Sequence, residues 1–181
     1  MMKKYLNFLK EQVKYSYGCV LMNFDFKNWN ELLDMVDKND IYEKEGENYG
    51  LQKKPHLTLI YGLESTVTNE DVISCFNGID IKDFKIEIDG VSNFENPEFD
   101  VIKLTVVLND NLKKVNSRLI KLPNTNKFDY NPHITIAFLK KGTSKKYLNP
   151  DYKYEVKNIK NVVYTTSDGK EINIYDEIKK I

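Results

Sequence analysis

Five residues occur twice in nearly the same form, as Pro55-His56-Leu57-Thr58-Leu59 and Pro132-His133-Ile134-Thr135-Ile136. The two copies hold the only two histidines of the 181-residue chain, 77 positions apart. Aliphatic residues alternating with polar ones read as a half-buried strand. His56 and Thr58 then share one face, and Leu57, Leu59 and Tyr61 share the other. The second copy likewise sets His133, Thr135 and Ala137 against Ile134, Ile136 and Phe138. Each strand offers an apolar face to a core and a His-Thr pair to the opposite side, and the alternation assigns Tyr61 and Phe138 to the core. A proline ahead of each histidine needs no ladder donor and fixes where the strand begins. A lone strand histidine is ordinarily a surface residue or a satisfied core residue. Threonine is about one residue in twenty here, so both histidines would carry Thr two positions on by chance roughly once in 400.

The surroundings of the two copies also match in order: a helix, a polar loop, then the Pro-His strand. Residues 3–15 have helical spacing of Tyr5, Leu6, Leu9 and Val13 and predict an N-terminal helix, an appendage to the rest of the domain. Cys19 to Phe24 reads as a strand. Trp29, Leu32, Leu33 and Val36 predict a helix over 28–38 with Trp29 in its apolar stripe. The segment 39–53 reads as a mobile loop. Thr68, with Asp71 three residues on, opens a helix that ends at Gly78. Residues 83–91 and 99–108 alternate as antiparallel strands, Asn109 or Asp110 caps a helix to about Leu122, and 123–131 is polar. A strand near 153–165, a turn at 167–169 and a last strand at 171–175 close the chain. This order predicts an α+β fold: one bilobal domain over 1–181, two antiparallel sheets facing a central cleft, and helices outside.

Lysine plus arginine balances aspartate plus glutamate at 27 each, which disfavours a long nucleic acid as partner but leaves room for a local basic cleft. Cys19 and Cys75, without a CxxC pair, suggest buried thiols in a reducing compartment. No signal peptide or membrane span is read, so a cytoplasmic, membrane-free protein is expected, monomeric or weakly homo-oligomeric.

Two imidazoles suit a phosphodiester. One takes the proton of the attacking hydroxyl and the other protonates the leaving oxygen, on opposite sides of the phosphorus. Threonine hydroxyls can hydrogen-bond the non-bridging oxygens as charge develops. No metal site is read, since two histidines without a third ligand motif make a weak zinc set, and no cofactor is expected. With its paired His-x-Thr strands, the chain from about Gly18 to Tyr175 resembles the 2H phosphoesterase superfamily, which includes 2′-5′ RNA ligase-like proteins and cyclic phosphodiesterases. The resemblance implies a bilobal fold with both pairs at the cleft floor and catalytic roles for His56, Thr58, His133 and Thr135. It implies substrates such as 2′,3′-cyclic phosphate RNA ends, 2′,5′-oligoadenylates and cyclic di- or trinucleotides. Some phage members of similar size destroy cyclic nucleotide alarm signals, so an anti-CBASS role is among the readings.

Bases need stacking partners and phosphates need cations. Candidates beside the predicted cleft are Tyr17, Tyr49 and Tyr130, Lys54 and Lys140 flanking the motifs, and Tyr164 to Thr166 on a late strand. Loops 39–53 and 123–131 are placed to act as lids. The leading reading is a metal-independent phosphodiesterase acting on a small oligonucleotide or cyclic nucleotide. RNA-end processing and a non-catalytic nucleotide-binding module stay open, as does which histidine is acid and which is base.

Overall fold

Local signals set most element ends in the computed structural model, which describes residues 17–181 apart from 46, 83 and 158. The helix expected over 3–15 lies outside the described residues. The chain runs β1 (Gly18–Phe24), α1 (Trp29–Asp34), a 3-10 turn (Lys38–Asp40), β2 (His56–Leu63), α2 (Asn69–Ser74), β3 (Ile86–Glu95) and β4 (Phe99–Val106). It continues through α3 (Asp110–Leu119), β5 (His133–Lys140), a second 3-10 turn (Ser144–Tyr147), β6 (Asn149–Val156), β7 (Ile159–Thr165), β8 (Glu171–Asn173) and α4 (Tyr175–Ile178). Thr68 closes a capping box on α2: its hydroxyl accepts from the Asp71 amide while the Asp71 carboxylate accepts from the Thr68 amide. The Asn109 side chain caps α3 by accepting from the Leu112 amide at 2.9 Å. Both α1 and α2 stop earlier than their apolar spacing suggests. The strand read near 153–165 is two strands, β6 and β7, which belong to different sheets.

The sheets have orders β2-β1-β7-β8 and β5-β4-β3-β6, and every pairing is antiparallel. This is the α+β architecture that the element order predicts. The orders correspond strand for strand, with each motif strand at an outer position. Among the described residues no helix is long and apolar enough to cross a membrane.

A strand at a sheet's edge leaves a row of amides and carbonyls unpaired. Here the segment leading into each motif covers the edge of the other motif strand. Ile41 and Leu51 bridge to Leu139 and Ala137 on β5, and the Gln52 amide donates to the Ile136 carbonyl at 2.9 Å. Reciprocally, Asn124 bridges to Leu63 on β2, and the Thr125 amide donates to the Gly62 carbonyl at 2.9 Å. The approach at Gly62 is close: its φ is +93°, and a Cβ there would meet the Thr125 hydroxyl at 2.9 Å. The helices follow the same exchange, α1 packing against β5 and α3 against β2. The loops read as mobile lids are therefore backbone-paired to the opposite strand at these points.

Both motif strands carry a β-bulge one residue past the threonine. Thr58 pairs with Leu21 and Ile60 with Val20, so Leu59 is the extra residue. Thr135 pairs with Lys103 and Ala137 with Ile102, so Ile136 is the extra residue. An extra residue reverses the side-chain phase beyond it. Leu57, Leu59 and Ile60, with Ile134, Ile136 and Ala137, are buried in one continuous core. The Leu59 carbonyl, at the bulge, accepts from the Asn116 side chain of α3 at 2.9 Å. Asn116→Ala removes that partner and should destabilise the fold by about 1–2 kcal/mol, read as a lower urea midpoint with an unchanged slope.

Candidate active site

Each histidine is fixed by its own approach segment. His56 Nδ1 lies 3.1 Å from the Lys54 carbonyl, and His133 Nδ1 lies 2.7 Å from the Asn131 carbonyl. A carbonyl only accepts, so Nδ1 carries the proton and Nε2 keeps its lone pair. The prolines between lock the geometry from the other side. The Pro55 carbonyl accepts from the Phe24 amide at 3.4 Å, and the Pro132 carbonyl from the Val106 amide at 3.2 Å. The two motif strands, β2 and β5, pack against each other, which brings the two His-Thr pairs to the same part of the fold. Among the described residues, neither the Thr58 nor the Thr135 hydroxyl is engaged by another protein group.

Register identifies what else shares the cleft face. In the first sheet, Asn23 pairs with His56 and Leu21 with Thr58; the Asn23 side-chain amide donates to Asn161 Oδ1 at 2.6 Å. In the second, Thr105 pairs with His133 and Lys103 with Thr135. The matching positions differ in chemistry, since the counterpart of Leu21 is a lysine. Lys103 is only 4% exposed. Its ammonium donates to the Ser92 hydroxyl at 2.9 Å and sits 4.2 Å from the centre of the Phe94 ring. The Phe94 ring in turn meets the His133 ring edge-on at 5.0 Å. Burial lowers the pKa of Lys103. Burial also lowers that of His133; the charges of Lys103 and His56 push the same way, and the Asn131 carbonyl opposes them.

The bulges correct the sequence assignment of two aromatics. Tyr61 pairs with Cys19, two residues from Leu21, so it stands on the His-Thr face and is 62% exposed. Phe138 pairs with Val101, two residues from Lys103, and so shares the face of Thr135. It packs against Tyr49 at 5.0 Å and Phe99 at 5.6 Å, and Tyr42 meets Tyr49 at 5.1 Å. Cys19, expected as buried, is half-buried on the cleft face.

The other sequence candidates divide. Tyr49 belongs to that aromatic cluster, and Tyr17 is exposed just before β1. Lys54 lines a cavity of about 720 Å³ beside the His56 end, together with Lys27, Lys53, Lys160, Asn23 and Asn161. The Tyr130 ring packs on the core, and its buried hydroxyl has no partner among the described residues. Lys140 donates to the Asn39 carbonyl at 2.7 Å. Tyr164 is a correction: it is 1% exposed and donates to the Val67 carbonyl at 2.8 Å, because the phase of β7 turns it into the core. Thr166 is another, its hydroxyl holding the 166–170 turn through Asp168 and the Lys170 amide and carbonyl. Among the described residues, no group of three or more His, Cys, Asp and Glu side chains is gathered as a metal ligand set.

Two antiparallel sheets, each turning a His-x-Thr strand toward a shared cleft, define the 2H phosphoesterase class. A family model for the 2′-5′ RNA ligase superfamily matches residues 29–164, and the chain belongs to that superfamily. It is accordingly a phosphodiesterase. No curated protein matches it. Among solved structures, Kluyveromyces marxianus Usb1 is similar, with a TM-score of 0.58 at 10% identity, covering 90% of this chain and 99% of that one. Usb1 with uridine monophosphate matches equally. The crystal structure of a phosphoesterase is more distant, with a TM-score of 0.48 at 13% identity, covering 82% of this chain and 86% of that one. The Nδ1 bonds make a direct prediction: 15N shifts of both neutral imidazoles should report the Nδ1–H tautomer, and a protonated Nε2 in either would contradict the geometry.

Proposed function

We propose that the chain cleaves a phosphodiester in a small oligonucleotide or cyclic nucleotide, one histidine accepting the proton of the attacking hydroxyl and the other protonating the leaving oxygen. The observation that carries this reading is the matched pair of imidazoles. Each is held at Nδ1 by a backbone carbonyl, and each stands on a strand face with an unengaged threonine hydroxyl. Fixed rings with free Nε2 atoms supply acid and base without reorganisation, and Thr58 and Thr135 stabilise the non-bridging oxygens.

A small substrate fits the surroundings. Tyr61 gives a base a stacking face three residues from Thr58. The four lysines around the neighbouring cavity outnumber its two carboxylates, Asp25 and Glu171, and offer cationic contacts to phosphates. The likeness to Usb1 with uridine monophosphate supports a nucleotide in such a fold. Membership of the 2′-5′ RNA ligase superfamily favours a second reading, the opening of 2′,3′-cyclic phosphates at RNA ends. Turnover of cyclic di- or trinucleotides would instead make the chain a counter-defence enzyme.

Purified protein in EDTA, incubated with cyclic di- and trinucleotides, 2′,5′-oligoadenylate and 2′,3′-cyclic-phosphate RNA, is expected to turn over one of these classes. No turnover of any, or turnover abolished by the chelator, would sink the metal-independent reading. Tight binding with the ligand recovered intact would replace it with a sequestering module. His56→Ala and His133→Ala should each lower kcat by roughly 10²–10⁴-fold while binding persists. Tyr61→Ala should raise KM by roughly 5- to 100-fold with an unchanged melting temperature, since its ring is exposed.

A further inference from the structure

We propose that Lys103 is a positioning residue that gives this nearly symmetric site a direction: His133 acts as the base and His56 as the acid. The inference rests on the phosphodiesterase reading above. It starts from a difference in charge between the residues that pair with the two motif threonines, Leu21 opposite Thr58 and Lys103 opposite Thr135.

A buried ammonium is costly unless an anion pairs with it. Among the described residues, no carboxylate pairs with Lys103. The Ser92 hydroxyl and the Phe94 ring face hold it, and neither neutralises its charge. At 4% exposure it has little room to turn toward water. The cation is thereby fixed on the same sheet face as His133, two register pairs away, with Phe94 against both. The charged groups acting on His133 are Lys103 on β4 and His56 on β2. Thr105 on β4 and Phe94 on β3, which also face it, are uncharged. A proton on His133 would set a second cation beside a buried one in a poorly screened site. His56 meets the uncharged Asn23 and Leu21 across its strand pair. The lysines beside it, Lys27, Lys53, Lys54 and Lys160, line an open cavity together with the carboxylates Asp25 and Glu171. None is a buried cation on its sheet face, so His56 is the ring left to hold the proton.

In the resulting step, the Nε2 lone pair of His133 takes the proton of the attacking hydroxyl as its oxygen bonds to phosphorus. The bond from phosphorus to the leaving oxygen breaks, and that oxygen takes the Nε2 proton of His56. The two rings exchange protonation states, and charge balances. The opposite assignment would need the proton on His133, next to Lys103, and the lone pair on His56. That microstate is the disfavoured one, so less of the enzyme would be competent at any pH.

The chain's two histidines make the test clean. Imidazole NMR titration of wild type, assigned with His133→Ala, should place His133 below the ordinary histidine value. Lys103→Met should raise it toward the ordinary value, the part of the depression due to burial remaining, and Lys103→Arg should leave it near wild type. If Lys103→Met does not fold, Lys103→Gln reads the same effect. A wild-type His133 at or above the ordinary value, or one indifferent to loss of the lysine charge, would overturn the proposal. These measurements use no substrate, so they stand even if no phosphodiester is turned over. With an active substrate, the acid limb of kcat/KM should move to higher pH by the same amount in Lys103→Met and stay in place in Lys103→Arg. A purely structural lysine would lower the rate without moving that limb. Direction is read with uridine 3′-(4-nitrophenyl phosphate), whose leaving group needs little protonation. It should restore most of the turnover of His56→Ala and little of that of His133→Ala, and the reverse pattern would refute the assignment.

Discussion

A single extra residue in each motif strand decides what the cleft contains. Without the bulges at Leu59 and Ile136, strict alternation would bury Tyr61 and Phe138 and expose Ile60 and Ala137. With them, each strand serves two masters in sequence. Its first half gives aliphatic residues to the core and His-x-Thr to the cleft, and its second half keeps the core filled while turning an aromatic outward. The Asn116 bond to the Leu59 carbonyl shows how the first of these irregular points is held. Geometry that could have been a packing defect becomes the means of placing an imidazole, a hydroxyl and a ring on one short stretch of backbone.

Two-imidazole chemistry also demands that the lobes keep their distance, because acid and base must reach opposite sides of one phosphorus. The exchanged segments meet this demand. Tyr42, Gly50 and Gln52 are hydrogen-bonded to β5 before the chain enters β2, and Asn124 and Thr125 pair with Leu63 and Gly62 of β2 before it enters β5. The protein binds each histidine's own approach to the opposite sheet, so relative movement of the sheets would strain the very residues that carry the Nδ1 acceptors, Lys54 and Asn131.

The repeated motif is legible in the sequence because its signal is local: two histidines, two threonines and a two-residue period. The α+β architecture of two antiparallel sheets follows from element order, though not the split of 153–165 between them, and the capping box at Thr68 follows from spacing alone. What strand alternation does not carry is phase. Nothing in Leu57 to Tyr61 announces that Leu59 is extra, since Leu, Ile and Tyr suit a strand on either face, so alternation misplaces Tyr61 in the core. Tyr164 errs in the opposite direction, because β6 ends at Val156 and β7 begins afresh at Ile159 in the other sheet, which resets which residues point inward. Lys103 is invisible for a different reason. Within FDVIKLTVVL one lysine reads as the solvent side of an alternating strand. Only the pairing of β4 with β5 shows that its solvent side is the cleft. Among 27 basic residues, composition cannot single it out.

The exchanged segments carry a consequence for how the chain can be divided. Although the two sheets match strand for strand, neither half of the chain is a module, since β3 belongs to the second sheet and β7 and β8 to the first. A fragment ending in the turn between β3 and β4 would keep β2 but lack the 123–125 segment and α3 that cover it, and it would carry a 39–53 segment with nothing to pair with. Two such fragments have each other's missing parts. The architecture is thus suited to complementation between halves: apart they expose open strand edges, and together they rebuild the cleft, with one histidine supplied by each.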